Sequence, residues 1–189
     1  MTFVVAGLGN PGTQYATTRH NVGYLVADVL ATRYGARFSR QKRTRADLAE
    51  IRLSGVNAVL AKPHTYMNLS GGPISATAKF FSVPPENVIA VHDDLDLDFG
   101  VVRLKRGGGE GGHNGLRSLT SHLHTRDYLR VRLGVGRPPG QMAAASYVLK
   151  PFSATERKEL GVIVEEAADA LELLIELGLE AAQNRVHAR

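Results

Sequence analysis

Short apolar runs alternate along the chain with longer segments of helical periodicity. The runs are rich in β-branched residues and predict strands at residues 3–6, 57–61, 88–91 and 129–135, and residues 46–53 and 101–104 are more polar strand candidates. Apolar residues spaced three or four apart predict helices at residues 21–34, 70–82, 114–124 and about 154–180, the last opened by a capping box of Ser153 and Glu156. Strands that alternate with helices are typical of an α/β fold, so we expect a mostly parallel sheet.

The composition restricts the class of protein. A chain of 189 residues has the length of one domain, and the absence of cysteine excludes disulfides and thiolate metal sites. No apolar run approaches the roughly 18 residues of a membrane span, and the N-terminus shows no signal-peptide pattern. We therefore expect a cytoplasmic protein with no membrane partner.

The charge is distributed unevenly. Residues 1–150 carry 19 Lys and Arg against 10 Asp and Glu, whereas residues 151–189 carry 4 against 8. Residues 37–45 contain five cations in nine positions, which we interpret as a basic loop or edge. The basic body favours a polyanionic partner, although a basic protein without a nucleic-acid role remains an alternative.

The segment from Gly7 to Gly12 has the G-x-G-x-x-G spacing of dinucleotide-binding loops. A dinucleotide site also needs a helix directly after the third glycine, to receive the pyrophosphate. Here Pro11 and Gly12 predict a turn, and helical periodicity begins only after His20. The loop therefore favours presentation of side chains, above all Asn10 and His20.

Polar side chains follow three of the predicted strands: Asn10, Asn68 and Asp93. Because ligands of open α/β sheets bind beyond the carboxyl ends of the strands, we expect these residues to share one cleft. A histidine general base needs a carboxylate that fixes its tautomer, so His20 is the candidate base, and Asp93 or Asp94 its partner.

Two acidic and glycine-rich segments suggest other chemistry. The acidic run after His92 does not fit an EF-hand loop, because Phe99 and Lys105 occupy the glycine and glutamate positions, but an adventitious divalent-cation site remains open. Residues 103–117 read RLKRGGGEGGHNGLR and lack the Gly-Lys-Ser/Thr of a P-loop. Taken alone, Asn114 is interpreted as the N-cap of the next helix.

Residues 137–146 predict a turn and a mobile flap over a site.

The chain resembles the bacterial peptidyl-tRNA hydrolase family over essentially its whole length. The matching segments are GLGNPGTQYATTRHNVG, KPHTYMNLSG, HDDLDL, GGGEGGHNGL and the final AAQNRVHAR. The resemblance implies a single-domain α/β enzyme, spanning residues 1–189, with a twisted, mixed sheet. It implies cleavage of the ester between a peptide, or an N-blocked amino acid, and the terminal ribose of tRNA, by a monomer without metal or cofactor.

The resemblance also implies roles for individual residues. His20 would activate water, and Asp93 would orient His20. Asn10, Asn68 and Asn114 would hold substrate and water. Tyr15, Met67 and His113 would line the substrate cleft, and Lys105 and Arg132 would bind the 5′-phosphate of the tRNA. Glu110 departs from the pattern, since some members have histidine there, which leaves the contacts of its loop open.

Two other functions remain as alternatives at this stage. A dinucleotide-dependent oxidoreductase would require the opening loop to bind pyrophosphate. A non-catalytic RNA-binding protein would explain the charge but would give His20 and Asp93 no task. Hydrolysis by a serine nucleophile is disfavoured, because the chain has no G-x-S-x-G motif.

Overall fold

The structure, a computed structural model, describes residues 1–188. Its sheet has seven strands: β1 (Thr2–Gly7), β2 (Ser39–Gln41), β3 (Ala46–Leu53), β4 (Val56–Pro63), β5 (Val88–Asp94), β6 (Val102–Arg106) and β7 (Leu129–Gly134). Their order is β2-β3-β4-β1-β5-β7-β6. The four central strands β4, β1, β5 and β7 are parallel, while β2, β3 and β6 pair antiparallel with their neighbours. The expected α/β class with a mixed sheet is confirmed.

Helices cover both faces of this sheet. They are α1 (Val22–Arg33), α2 (Gly71–Phe80), α3 (Asn114–Leu123), α4 (Ala144–Val148), α5 (Ala154–Leu177) and α6 (Leu179–Val186). Val5 of β1 packs in the core formed with α1, α5 and α6, and its neighbour Val4 packs in the core formed with α2 and α3. Because the central strands are buried on both faces, their sequences are nearly continuous apolar runs.

The structure departs from the sequence prediction at several boundaries. The helix expected at 154–180 begins at its capping box, as predicted, but ends at Leu177, because Gly178 adopts a φ of 83° and starts α6. The basic segment contributes the short edge strand β2, and the predicted flap leads into α4. Within residues 1–188, we find no helix long and apolar enough to cross a membrane.

The carboxyl ends of β1, β4 and β5 lie at one edge of the sheet and carry the residues of interest. A glycine is required where α1 crosses this edge: a Cβ on Gly23 would lie 2.3 Å from the carbonyl oxygen of Val91 and 2.5 Å from the amide of Leu8. This close approach brings the residues just before α1, including His20, to the end of β5.

Candidate active site

His20 and Asp93 form a buried hydrogen-bonded pair. His20 lies in the 3-10 turn Arg19–Asn21, and its Nδ1 is 2.9 Å and 3.0 Å from the two carboxylate oxygens of Asp93. Burial alone would raise the pKa of Asp93, but the attraction and hydrogen bonds of His20 and His113 lower it below its usual range. An ionised Asp93 can only accept, so Nδ1 carries the proton and Nε2 keeps a free lone pair.

His113 is a second imidazole bound to the same carboxylate. Its Nδ1 accepts hydrogen bonds from the backbone amides of Gly115 at 3.1 Å and Leu116 at 3.3 Å, which makes it the N-cap of α3. The proton therefore lies on Nε2, which is 2.9 Å from Oδ1 of Asp93. The interpretation of Asn114 as this cap is wrong, because Asn114 is already the first helical residue.

Asn10 is fixed by three hydrogen bonds. Its backbone amide donates to Asn21 Oδ1 at 2.8 Å, and its carbonyl oxygen accepts from Asn21 Nδ2 at 2.9 Å. Its side-chain oxygen accepts from the backbone amide of Met67 at 2.7 Å, which leaves its Nδ2 group as a donor. Sequence reasoning missed Asn21; its position beside His20 was visible, but its contact with Asn10 across eleven residues was not.

The remaining predicted cleft residues lie near these contacts. Tyr15 packs edge-on against Tyr66, with ring centroids 6.3 Å apart, and Met67 is buried against Gly115. Asn68 and Asn114 are exposed, and Asn114 Oδ1 accepts from Arg117 at 3.3 Å. We call the group of Asn10, Tyr15, Tyr66, Met67 and Asn68 the amide side of the site.

A cavity of about 340 Å³ opens beside His20 and His113. It is lined by both histidines, Asp93, Asn114 and a set of charged residues that we call the charged side: Asp94, Asp96, Lys105, Glu110, Arg130 and Arg132. None of the amide-side residues lines it. The predicted residues therefore fall into two groups, the amide side outside this cavity and the charged side within it, and both histidines line the cavity.

Lys105 and Arg132 both reach this cavity but differ in their partners. Arg132 Nε donates to Asp94 Oδ2 at 2.9 Å, whereas Lys105 forms no ion pair within residues 1–188. Burial, together with repulsion from Arg132 and Arg130, lowers the pKa of Lys105. The ammonium of Lys105 lies under the glycine-rich loop, since a Cβ on Gly108 would lie 3.0 Å from Lys105 Nζ.

The glycine-rich loop is held by an arginine that sequence reasoning missed. Arg130 is fully buried, and its guanidinium donates to the carbonyl oxygens of Gly109 at 2.5 Å and Gly108 at 2.9 Å. It also stacks on Tyr128, 4.5 Å from the ring centroid. Glu110 pairs with Arg126 at 2.8 Å and thereby fastens the same loop to the segment that follows α3.

The three groups around Asp93 have the composition of a metal site, since ligand atoms of His20, Asp93 and His113 lie within 4.8 Å of one another. The tautomers argue against this use. His113 Nε2 carries a proton because its Nδ1 accepts two backbone amides, so Nε2 donates to Asp93 instead of offering a lone pair. In the acidic run, Asp94 and Asp96 are paired with Arg132 and Arg137.

His92 is a fully buried histidine behind the site. Its Nδ1 lies 2.8 Å from the carbonyl oxygen of Asp93, and its Nε2 has no hydrogen-bond partner within residues 1–188. Burial and the neighbouring His113 lower the pKa of His92 to about 3, so it stays neutral near pH 7.

Comparison with known proteins gives one consistent result. The family model described as Peptidyl-tRNA hydrolase matches residues 4–189. The chain is 66% identical over 184 residues to the peptidyl-tRNA hydrolase of Nocardia farcinica, covering 97% of this chain and 95% of that one. It is 64% identical over 186 residues to that of Rhodococcus erythropolis, covering 98% of each. The crystal structure of peptidyl-tRNA hydrolase from Acinetobacter baumannii matches with a TM-score of 0.92 at 34% identity, covering 99% of this chain and 95% of that one.

Proposed function

Because this chain belongs to the peptidyl-tRNA hydrolase family, whose activity is the hydrolysis of the ester in peptidyl-tRNA, we propose that His20 carries out this reaction here as the general base. The observation that supports the role is the Nδ1 contact with Asp93, which leaves the other ring nitrogen unprotonated. A water molecule at Nε2 would lose a proton to His20 while its oxygen attacks the ester carbonyl.

The proton balance of the reaction needs no other acid. Attack by water gives a tetrahedral intermediate, and the imidazolium of His20 is stabilised by the ionised carboxylate of Asp93. When the bond to the ribose oxygen breaks, His20 returns the proton to that oxygen. The products are a tRNA with an intact terminal ribose and a peptide carboxylic acid, which ionises to the carboxylate by releasing the second proton of the water to solvent.

The two surfaces of the site suit the two parts of the substrate. We assign the peptide to the amide side, where the fixed Nδ2 group of Asn10 and the exposed amide of Asn68 can bind backbone carbonyls. Tyr15 and Met67 provide apolar contacts there, and His113 and Asn114 border both surfaces. A free α-ammonium would be desolvated there without a counter-ion, so an N-blocked amino acid or peptide is the preferred substrate.

We assign the tRNA end to the charged side, where Lys105 and Arg132 would bind the terminal 5′-phosphate. Every residue in this scheme comes from one chain, so we propose that the monomer is active, without a membrane partner. We also propose a cytoplasmic location, since the substrate arises in translation.

The dinucleotide alternative loses its support in the geometry of the opening loop. Gly12 is followed by the short 3-10 turn Thr13–Tyr15, and the first α-helix begins only at Val22. The loop therefore offers no helix N-terminus to a pyrophosphate. A non-catalytic RNA-binding role is likewise superseded by membership of an enzyme family.

Replacement of His20 tests the proposed role. His20→Asn keeps a donor toward Asp93 but has no basic nitrogen, and we expect kcat for N-acetyl-aminoacyl-tRNA to fall by at least about 10²-fold with little change in tRNA affinity. His124→Asn is the control, because His124 is exposed, lies outside the cavity and has a φ of 60°, which asparagine tolerates. Near-normal turnover by His20→Asn would refute the assignment.

A further inference from the structure

A cluster of exposed cations lies at the edge of the sheet and is not used by the proposed mechanism. We call it the basic edge; it consists of Arg37 just before β2, Arg40 on β2, and Lys42, Arg43 and Arg45 on the turn that joins β2 to β3. All five residues are exposed. Of these five residues, only Arg40 forms an ion pair within residues 1–188, with Asp47 at 2.5 Å, so the other four cations are available to an external anion.

The topology places the turn of the basic edge beside the amide side of the active site. Because β3 is antiparallel to β4, Ala46 lies opposite Pro63, the last residue of β4. The backbone amide of His64 then donates to the carbonyl oxygen of Arg45 at 2.8 Å. Only three residues further on, Met67 is bonded to Asn10. The segment from His64 to Met67 spans at most about 10 Å.

The surface between the turn and Met67 has the character of a peptide-binding surface. Tyr66 is 57% exposed and Leu69 is 53% exposed, and the exposed amide of Asn68 lies between them in the chain. Arg45 borders this surface, since a Cβ on Gly72 would lie 2.9 Å from its Nη2. The first turn of α2, which contains Gly72, carries no acid that could neutralise Arg45.

We propose that the basic edge contacts acidic side chains of the bound peptide, at about the fourth and fifth residues from the ester, and so makes the enzyme prefer acidic over basic peptides. The proposal rests on the proposed function, which places the peptide on the amide side. The body of the tRNA is the less favoured partner, because the proposed phosphate ligands Lys105 and Arg132 line the cavity, and no residue of the basic edge does. Exposed ion pairs are weak and screened, so the expected preference is only about threefold to tenfold at low salt.

The experiment compares peptidyl-tRNA substrates that differ only at the fourth and fifth residues. N-acetylated peptides with two Glu, two Gln or two Lys at these positions are attached to the same tRNA, and kcat/KM is measured in low and in high salt. We expect the order Glu, Gln, Lys in wild type, with the differences disappearing near 1 M salt, where the Debye length is about 3 Å. In Lys42→Gln/Arg43→Gln the ratio of the Glu to the Lys substrate should fall toward one.

A matched control separates local from general charge effects. Arg52→Gln removes an arginine that is also exposed but lies at the other end of β3, opposite Asn57 near the start of β4, and it should keep the wild-type ratio. Equal losses for all three substrates in Lys42→Gln/Arg43→Gln, with a lower salt dependence, would show that the edge binds the tRNA and would overturn the proposal. A wild-type enzyme without any preference would overturn it too. Failure to cleave even the Gln substrate would instead count against the proposed function.

Discussion

In the proposed function, the amide side and the charged side of the site solve different recognition problems. On the amide side, Asn10 is fixed by hydrogen bonds to Asn21 and Met67, and it offers a neutral donor. On the charged side, three cations and three acids share one cavity, and Arg132 is already paired with Asp94. A neutral rigid donor suits a peptide carbonyl, which carries no net charge, whereas a cavity with an uncompensated ammonium suits a phosphate.

His20 and His113 belong neither to the amide side nor to the charged side. Asp93 accepts from both His20 and His113, and the tautomer of His113 is fixed by backbone amides at the start of α3. The carboxylate is therefore oriented by groups that do not depend on substrate binding. The chemistry is organised in advance, and selectivity is left to the two flanking sides.

The largest effect is expected from removal of the negative charge of Asp93, which orients both histidines. In Asp93→Asn one carboxylate oxygen becomes an amide that donates, and because both oxygens of Asp93 lie within 3.0 Å of His20 Nδ1, this amide competes with the remaining oxygen for that nitrogen. We expect kcat to fall by at least about 10²-fold, because the wrong tautomer of His20 is favoured. The acidic limb of the pH–rate profile should move to lower pH, since loss of a nearby negative charge lowers a histidine pKa.

Asp94→Asn provides the control for this prediction. Asp94 is the adjacent carboxylate and pairs with Arg132 on the charged side. Its replacement should change KM for tRNA substrates and leave the acidic limb in place. If Asp94→Asn moved the limb and Asp93→Asn did not, the partner of His20 would have been assigned wrongly.

The comparison also shows which parts of the site could be predicted from sequence. The central strands and the ends that carry Asn10 and Asp93 were predictable, because fully buried parallel strands are apolar runs and polar residues at their ends are conspicuous. The α/β class followed from the same pattern. His92 and Asp93 nevertheless lie inside β5, whose predicted end was Val91, because their backbone pairs with β7 in spite of their polarity.

Contacts between distant segments could not be predicted in this way. Arg130 reads as one of several basic residues, and only the fold shows that it is buried beneath the carbonyls of Gly108 and Gly109. The capping role of His113 was missed because histidine is not a preferred N-cap and the adjacent Asn114 is. The break at Gly178 was missed because the apolar periodicity continues on both sides of it.

The charged side is tested by removing its two candidate phosphate ligands. Lys105→Ala should raise KM for 5′-phosphorylated substrate about tenfold, reduce the salt dependence of binding by about one unit and change kcat little. Arg132→Ala should have a smaller effect, because Asp94 already compensates part of its charge. The decisive measurement is a double-mutant cycle in which the second change is removal of the 5′-phosphate. Fully additive losses would show that these side chains do not bind that phosphate.

The last expected effect concerns stability rather than catalysis, and it arises from His92, which is buried beside His113. The pKa of His92 is about 3 in the folded protein, against an ordinary value of 6.5 for the unfolded chain. The stabilisation that comes from keeping His92 neutral is therefore complete above pH 6.5 and is lost as the pH falls toward 3. Between pH 7.5 and 5 this amounts to about 2 kcal/mol, because each pH unit below 6.5 costs about 1.4 kcal/mol. His92→Asn retains a donor toward the carbonyl of Asp93 but cannot bind a proton. Urea unfolding at both pH values should therefore show a pH dependence weaker by about that amount in the variant than in wild type, whatever the variant's stability at pH 7.5. An identical pH dependence in the two proteins would mean that His92 can take up a proton within the fold, and that the cavity wall beneath His113 is more hydrated than its burial indicates.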